Sequence, residues 1–154
     1  MALRNIIKEG DELLRKISKE VDIVNNKIQV LIKDMAETMY KANGVGLAAP
    51  QIGVLKRIIV IDIGDGLIEM INPVIVKSEG EQVEIEGCLS IPGIYGEVKR
   101  PLKVTVEGLN AKGEKVVIDA EGFLAVAFCH EIDHLNGVLF KDKVIRYIDK
   151  SELE

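Results

Sequence analysis

Hydrophobic residues recur at helical spacing in one segment of the first half of the chain. They are Ile28, Leu31, Ile32, Met35 and Met39. Asn25 and Asn26 precede them, and either asparagine suits an N-cap. Apolar residues three and four positions apart form the buried stripe of an amphipathic helix. Asn43 and Gly44 then interrupt the pattern, and Gly44 suits the left-handed position after a helix. The pattern predicts a helix that runs to about Lys41.

The middle of the chain carries the shorter patterns that are typical of β-strands. Residues 56–63 (KRIIVIDI) are almost continuously apolar, which predicts a strand buried on both faces. Residues 67–80 predict a strand interrupted at Pro73, because proline cannot donate to a β-ladder. Residues 81–90 alternate as a half-buried strand does, and residues 91–101 (IPGIYGEVKRP) are expected to form a loop.

The last third of the chain predicts a hairpin and a second helix. Residues 102–122 alternate on both sides of the turn sequence NAKG, as a hairpin does. Residues 123–140 (FLAVAFCHEIDHLNGVLF) have helical periodicity, and Gly137 is expected to end the helix. Residues 141–154 are mixed and predict a short strand or a fraying helix. A helix, several antiparallel strands and a second helix indicate the α+β class.

Composition and charge restrict the setting in which the chain can act. A length of 154 residues predicts one domain, here a catalytic domain over 1–154 with an N-terminal arm (1–24) and a short tail (141–154). A net charge of -5 argues against direct nucleic-acid binding. No apolar run approaches the roughly 18 residues of a membrane span, and residues 1–20 lack the apolar core of a signal peptide. We therefore expect a cytoplasmic protein without a membrane partner.

Both histidines of the chain lie in the segment CHEIDHLNG, four positions apart. Side chains at i and i+4 share one face of a helix, so His130 and His134 can point at one metal ion. Glu131 is rotated by about 100° from His130, so that it can reach a water on that ion but is poorly placed as a ligand. This is the H-E-x-x-H pattern of two metal ligands and one general base.

A hydrolytic metal site needs a third protein ligand and leaves one position for water. Cys88 is the favoured third ligand, because it ends an alternating strand that can fix its sulfur, and thiolates bind Zn or Fe strongly. Glu154 competes with it, at the spacing of thermolysin-type zinc proteases, although chain ends usually fray. Cys129 adjoins His130 but is rotated by about 100° from it, which favours a packed apolar role.

Three other readings of these residues remain open from the pattern alone. The first is a zinc endopeptidase that uses His130, His134 and Glu154. The second is a non-catalytic metal-binding module in which Cys129 is a fourth ligand and closes the site. The third is a cysteine hydrolase with Cys88 as the nucleophile, which would not need a metal.

Three stretches of the chain, GVGLAAPQIG, EGCLSIPG and HEIDHLNG, occur in this order. Their order and separations resemble the peptide deformylase family, whose motifs are G-x-G-x-A-A-x-Q, E-G-C-x-S and H-E-x-x-H. Each motif has limited specificity by itself, whereas the ordered triple is highly specific. The likeness extends from the N-terminal arm to about residue 145. The family usually has Gln before the first ligand histidine, where this chain has Cys129.

The resemblance implies a fold, a reaction and a metal. The fold would consist of antiparallel or mixed sheets around a central helix carrying HEIDH, with another helix in the N-terminal half. The reaction would remove the N-formyl group from the formyl-methionine of newly made polypeptides and release formate (EC 3.5.1.88). One divalent metal is implied, Fe(II) in cells, which Zn(II), Ni(II) or Co(II) can replace. The metal ligands would be Cys88, His130 and His134.

The resemblance also implies roles for residues around the metal. Glu131 would be the general base and acid for a metal-bound water, and Gln51 with the backbone N–H of Leu89 would form the oxyanion hole. Glu86 and Ser90 would support the local shape of the site.

Substrate contacts are expected from two further segments. Val45 and Gly46 would accept an extended peptide, since glycine lets a backbone approach closely. Phe123 and Val126 share a helical stripe with His130 and would line a pocket for the methionine side chain. The implied partners are formyl-methionyl nascent peptides, together with a transient contact to the ribosome.

Overall fold

The computed structural model describes residues 2–153, and its regular elements are two α-helices and eight β-strands. They are α1 (Asn26–Lys41), β1 (Gly46–Ala48), β2 (Ile58–Ile61), β3 (Ile68–Glu79), β4 (Gln82–Cys88), β5 (Ile91–Arg100), β6 (Lys103–Leu109), β7 (Lys115–Glu121), α2 (Phe123–Leu135) and β8 (Val144–Tyr147). Short 3-10 helices cover Glu12–Arg15, Ala49–Ile52, Phe140–Lys143 and Lys150–Leu153.

The strands form two antiparallel sheets, and α2 contacts both of them. One sheet has the order β1-β2-β3-β6-β7 and the other the order β4-β5-β8. Helix α2 contacts β1, β2, β6 and β7 of the first sheet and β5 of the second. The predicted α+β class, with sheets around the helix that carries HEIDH, is confirmed. No helix within residues 2–153 is both long and apolar enough to cross a membrane.

Helix α1 forms where the apolar spacing predicts it. The Asn25 side chain accepts the Ile28 N–H at 3.1 Å, which caps the first turn. The predicted stripe is buried and packs on β1 and β2. One detail is wrong: the left-handed residue after the helix is Asn43 (φ 58), not Gly44. Gly44 serves a different purpose, since a Cβ there would lie 2.6 Å from Leu89 Cδ1.

Residues 91–101 were expected to form a loop, and this prediction is wrong. Most of the segment is β5, which pairs with β4 on one edge and with β8 on the other. Gly96, Val98 and Arg100 alternate inward, so that the arginine is buried. Pro92 and Gly93 disfavour a strand locally, but pairing along both edges of β5 outweighs this preference.

Strand β3 continues through Pro73, where an interruption was predicted. Its pairing with β6 shifts register between Ile71 and Val74, and Asn72 adopts a φ of 53°. Such a bulge leaves the proline outside the regular ladder. The predicted hairpin is confirmed as β6–β7, and the tail contains both β8 and a 3-10 helix.

Candidate metal centre and active site

Three potential metal ligands from two distant segments meet beside α2. Cys88 is the last residue of β4, whereas His130 and His134 lie on consecutive turns of α2. One ligand atom from each residue lies within 4.8 Å of the others, with Cys88 Sγ 3.3 Å from His134 Nε2. Within residues 2–153 this is the one such group of three or more. One sulfur and two imidazole nitrogens converging in this way fit a divalent iron or zinc ion.

A chain of charged side chains, of which Glu86 and Arg100 are buried, orients the His130 ring. Its Nδ1 lies 2.9 Å from Glu86 Oε1, so Nδ1–H donates to the carboxylate and Nε2 is left for a metal. Arg100 donates to both oxygens of Glu86 at 2.9 Å and to Asp133 Oδ2 at 2.6 Å. Lys143 adds an ion pair of 3.1 Å to Asp133. Strands β4 and β5 and helix α2 are thereby joined behind the histidine.

Sequence reasoning identified Glu86 without its partners and missed both Arg100 and Asp133. Arg100 was hidden because its segment was assigned to a loop. The available signal was the inward alternation of Gly96, Val98 and Arg100, which places the arginine on the buried face of a strand.

Burial is the largest influence on the pKa values at this centre. It raises the pKa of Glu131 to about 7 and holds the pKa of His134 well below its usual value. Burial also opposes the protonation of His130, but the charge of Glu131 and hydrogen bonds with Cys88 and Glu86 outweigh it and raise the pKa of His130. Because a metal needs an unprotonated Nε2, we expect metal binding to release protons.

Glu131 lies beside the ligand group with its carboxylate buried. Its Oε2 is 4.0 Å from His130 Nε2, and its Oε1 has no hydrogen-bond partner within the described part of the chain. Gly46 faces this carboxylate so closely that a Cβ built on it would lie 2.9 Å from Glu131 Cδ. Position 46 therefore accepts no side chain unless Glu131 moves. This is a second reason for a glycine here, in addition to the close approach of a substrate peptide.

Gln51 lies next to Cys88, and hydrogen bonds hold its side-chain amide. It lies in the 3-10 helix Ala49–Ile52, and its Oε1 accepts the Ala48 N–H at 2.9 Å. Its Nε2 donates to Ser90 Oγ at 3.1 Å and lies 3.5 Å from Cys88 Sγ. The amide is therefore oriented with its N–H groups towards the turn that holds Leu89.

A cavity of about 360 Å³ opens onto these groups. Its polar floor includes Gln51, Cys88, His130 and Glu131. The four positions expected to contact substrate also line it, together with Leu89: they are Val45, Gly46, Phe123 and Val126. His134 is 1% exposed and is not part of the lining.

Of the two rival ligands, Cys129 does not join the centre. Cys129 is 6% exposed in an aliphatic cluster with Ile132 and Leu135, and burial raises the pKa of its thiol to about 11. It is not part of the ligand group, which argues against a fourth ligand that closes the site. Glu154 lies outside the described residues.

The two cysteines should differ sharply in reactivity. In metal-free protein at neutral pH we expect iodoacetamide to modify Cys88, which is partly exposed, and to leave Cys129 unmodified, because alkylation needs an accessible thiolate. Metal loading should then protect Cys88. Mass spectrometry of digested protein measures both sites, and denatured protein, in which both should react, is the control. Equal modification of the two thiols in folded protein would contradict the assignment.

Comparison with known proteins decides the family. The family model described as polypeptide deformylase matches residues 3–150. The chain belongs to the peptide deformylase family. It is 66% identical over 154 residues to the peptide deformylase of Acetivibrio thermocellus, covering 100% of this chain and 91% of that protein. The peptide deformylase of Thermoanaerobacter pseudethanolicus is 60% identical over 154 residues, with 100% and 97% covered.

Solved peptide deformylases share the fold as well as the sequence. The structure from Thermotoga maritima superimposes with a TM-score of 0.92 at 42% identity, covering 94% of this chain and 99% of that chain. The structure from Legionella pneumophila gives a TM-score of 0.90 at 51% identity, covering 93% and 86%. The architecture around α2 is therefore that of the peptide deformylase family.

Proposed function

We propose that this chain is the deformylase of N-formyl-methionyl nascent polypeptides and releases formate from them. The observation that carries the proposal is the convergence of Cys88, His130 and His134 beside the buried Glu131, with Cys88, His130 and Glu131 lining one cavity. The peptide deformylases at 66% and 60% identity support the same reaction class. Residues 1–154 would act as one catalytic domain in the cytoplasm. A transient ribosome contact would bring it to its substrate, and co-sedimentation with ribosomes tests that contact.

The proposed metal ligands are Cys88 Sγ and the Nε2 atoms of His130 and His134. A bound divalent cation supplies Lewis acidity and lowers the pKa of a water molecule that it binds. We propose Fe(II) as the cation in cells, with Zn(II), Ni(II) and Co(II) as substitutes, since thiolate and imidazole ligands suit all of them. Metal analysis of protein purified without oxygen tests the identity.

Glu131 is the proposed proton carrier. A buried carboxyl group with a pKa of about 7 can take a proton from the attacking water and return it to the leaving amine. Within residues 2–153 its Oε1 accepts no hydrogen bond, which leaves an oxygen available for that water. The absence of a side chain at Gly46 leaves the space that the carboxylate occupies.

Gln51 Nε2 and the backbone N–H of Leu89 are the proposed donors to the oxyanion that forms on the formyl group. Neutral donors stabilise developing negative charge, whereas a carboxylate would repel it. The bonds of Gln51 to Ala48 and Ser90 orient the amide before substrate arrives. Such donors need little reorganisation during the reaction.

The peptide is proposed to lie extended beside Val45 and Gly46, with its methionine side chain against Phe123 and Val126. Val126 is 2% exposed, whereas Phe123 is 46% exposed at the mouth of the cavity. An apolar lining of this kind suits a flexible thioether side chain.

Filling this pocket should weaken substrate binding. We expect Val126→Trp to raise KM for a formyl-Met peptide at least about tenfold, because the indole would occupy space needed by a side chain whose burial contributes about 1.5–3 kcal/mol. Bound metal should stay at the wild-type level, as element analysis can check. Val126→Ala, which enlarges the pocket, is the matched variant. Unchanged kcat/KM in Val126→Trp would refute the pocket assignment.

A formate-release assay tests the proposed function directly. Protein stripped with a chelator should be inactive on a formyl-Met-Ala-Ser peptide, and anaerobic Fe(II) should restore turnover. The acetylated peptide and an unformylated longer peptide are the controls. Cleavage of internal peptide bonds, or formate release that survives chelation, would overturn the proposal in favour of an endopeptidase or a cysteine hydrolase.

A further inference from the structure

Residues 7–9 of the N-terminal arm lie against the two segments that carry Gln51 and Cys88. The Ile7 N–H donates to the Gln51 carbonyl at 2.7 Å, and the Glu9 N–H donates to the Ser90 carbonyl at 2.8 Å. Alternate N–H groups of an extended chain point to the same side, so one short stretch can reach both carbonyls. The N–H of Lys8, between them, makes no hydrogen bond within residues 2–153.

Gln51 and Ser90 are also joined directly, through Gln51 Nε2 and Ser90 Oγ at 3.1 Å. Gln51 and Ser90 are 39 positions apart in the sequence. Their side-chain bond and the two bonds from the arm together form a closed ring of contacts. The ring contains Gln51, the turn at residues 89 and 90, and the arm. The separation between the proposed oxyanion donors therefore depends on the arm as well as on the side chains.

The arm is itself anchored on both sides of residues 7–9. Before them, Arg4 pairs with the buried Asp34 of α1 at 2.7 Å. Within them, the Ile7 side chain packs in a cluster that includes Cys88, and Glu9 pairs with Lys141 at 2.6 Å. After them, Leu14 is 1% exposed in the same cluster. A segment held in this way can transmit a fixed spacing to the residues that it bonds.

We propose that residues 7–9 form a positioning strap that sets the distance between the Gln51 amide and the turn at residues 89 and 90. This inference rests on the proposed function, because it assumes that Gln51 and Leu89 stabilise the oxyanion. No residue of the strap is a proposed metal ligand, and none of residues 7–9 lines the cavity. Loosening it should affect kcat more than KM, since oxyanion stabilisation is needed in the transition state rather than in substrate binding.

Three proline variants separate a strap from a general contribution to stability. Ile7→Pro and Glu9→Pro each delete one strap N–H. Lys8→Pro introduces the same ring and deletes no backbone hydrogen bond, only the exposed bond from Lys8 Nζ to the Ile6 carbonyl. With Fe(II)-loaded protein and a formyl-Met peptide, kcat should fall about tenfold in the first two variants. Removal of a whole oxyanion donor lowers kcat by about 10²- to 10³-fold, and the expected loss is a part of that effect. KM and metal content should stay within about twofold, and Lys8→Pro should behave as wild type.

Hydrogen–deuterium exchange on metal-free protein supplies a readout that is independent of turnover. Backbone amides of the Ala49–Ile52 helix and of residues 88–91 should exchange faster in Ile7→Pro and Glu9→Pro than in Lys8→Pro. The α-hydroxy acid analogue at position 7 or 9 removes the same N–H but keeps the side chain, so it separates the lost bond from the lost Ile7 packing or Glu9–Lys141 pair. It also replaces a proline variant that does not fold.

The outcomes distinguish the strap from the proposed function. An active wild-type protein with unchanged kcat in Ile7→Pro and Glu9→Pro, or with an equal loss in Lys8→Pro, overturns the strap. A wild-type protein that releases no formate overturns the proposed function instead.

Discussion

Glu131→Gln should lower kcat for a formyl-Met peptide by about 10²- to 10⁴-fold while the protein keeps its metal. Glutamine has nearly the same shape as glutamate, so it fits the space that the missing side chain at Gly46 leaves. It cannot accept a proton, and the attacking water would then lose its base. Glu131 is not one of the three converging ligands, so metal stoichiometry should not change.

The same residue should determine the acid limb of the pH–rate profile. Burial raises the pKa of Glu131 to about 7, and a nearby cation lowers the pKa of a carboxyl group because it stabilises the charged form. The loaded enzyme should therefore lose kcat/KM as pH falls through a value below 7, and Glu131→Gln should lack this limb. Glu84→Gln, the same change at an exposed residue of β4, is the control. Near wild-type turnover in Glu131→Gln would show that the base has been misassigned.

Arg100→Met should destabilise the fold by about 3–5 kcal/mol, because removal of one partner leaves a buried charge uncompensated. The side chains of Arg100 and Glu86 are only 2% and 3% exposed. Hydrogen bonds with Arg100 and His130 hold the pKa of Glu86 below its usual value against the opposing effect of burial. Without the guanidinium, burial would raise the pKa of Glu86. A protonated Glu86 would then be a weaker acceptor for the N–H of His130.

Urea unfolding of the metal-free protein measures this loss, and competition with a chelator measures the accompanying loss of metal affinity. Lys99→Met is the matched control. Lys99 precedes Arg100 on β5 but is 58% exposed, and its ion pair with Glu81 should contribute at most about 1 kcal/mol. The double variant Arg100→Met/Glu86→Gln should recover part of the lost stability, since it removes the unpaired charge. A loss below about 1 kcal/mol in Arg100→Met would contradict the role of this network.

Local patterns were sufficient where neighbouring residues decide the structure. Helix α1 begins at its asparagine cap, and its apolar stripe is the buried one. The helical spacing of His130 and His134 was enough to predict that both imidazoles point towards one place, and the converging ring nitrogens confirm this. In each case the geometry depends on residues within about one or two turns, which the chain specifies by its order alone.

Local patterns failed where partners come from far along the chain. Strand β5 was missed because Pro92 and Gly93 dominate its local preference, while its ladder depends on β4 and β8. Arg100 and its carboxylate partners were missed for the same reason. The strap was missed because the arm has no periodic pattern, and its hydrogen bonds reach backbone groups that no residue type identifies.

The amino-acid order by itself determined the helix with two imidazoles on one face, the hairpin of β6 and β7, and the family that the three ordered motifs indicate. Only the tertiary structure brought Cys88 to within 3.3 Å of a histidine 46 positions away, excluded Cys129 from the ligand group and placed Gly46 against Glu131. The physical reason is the range of the interactions. Helical spacing and capping act between near neighbours, whereas a metal centre depends on how two sheets pack around α2.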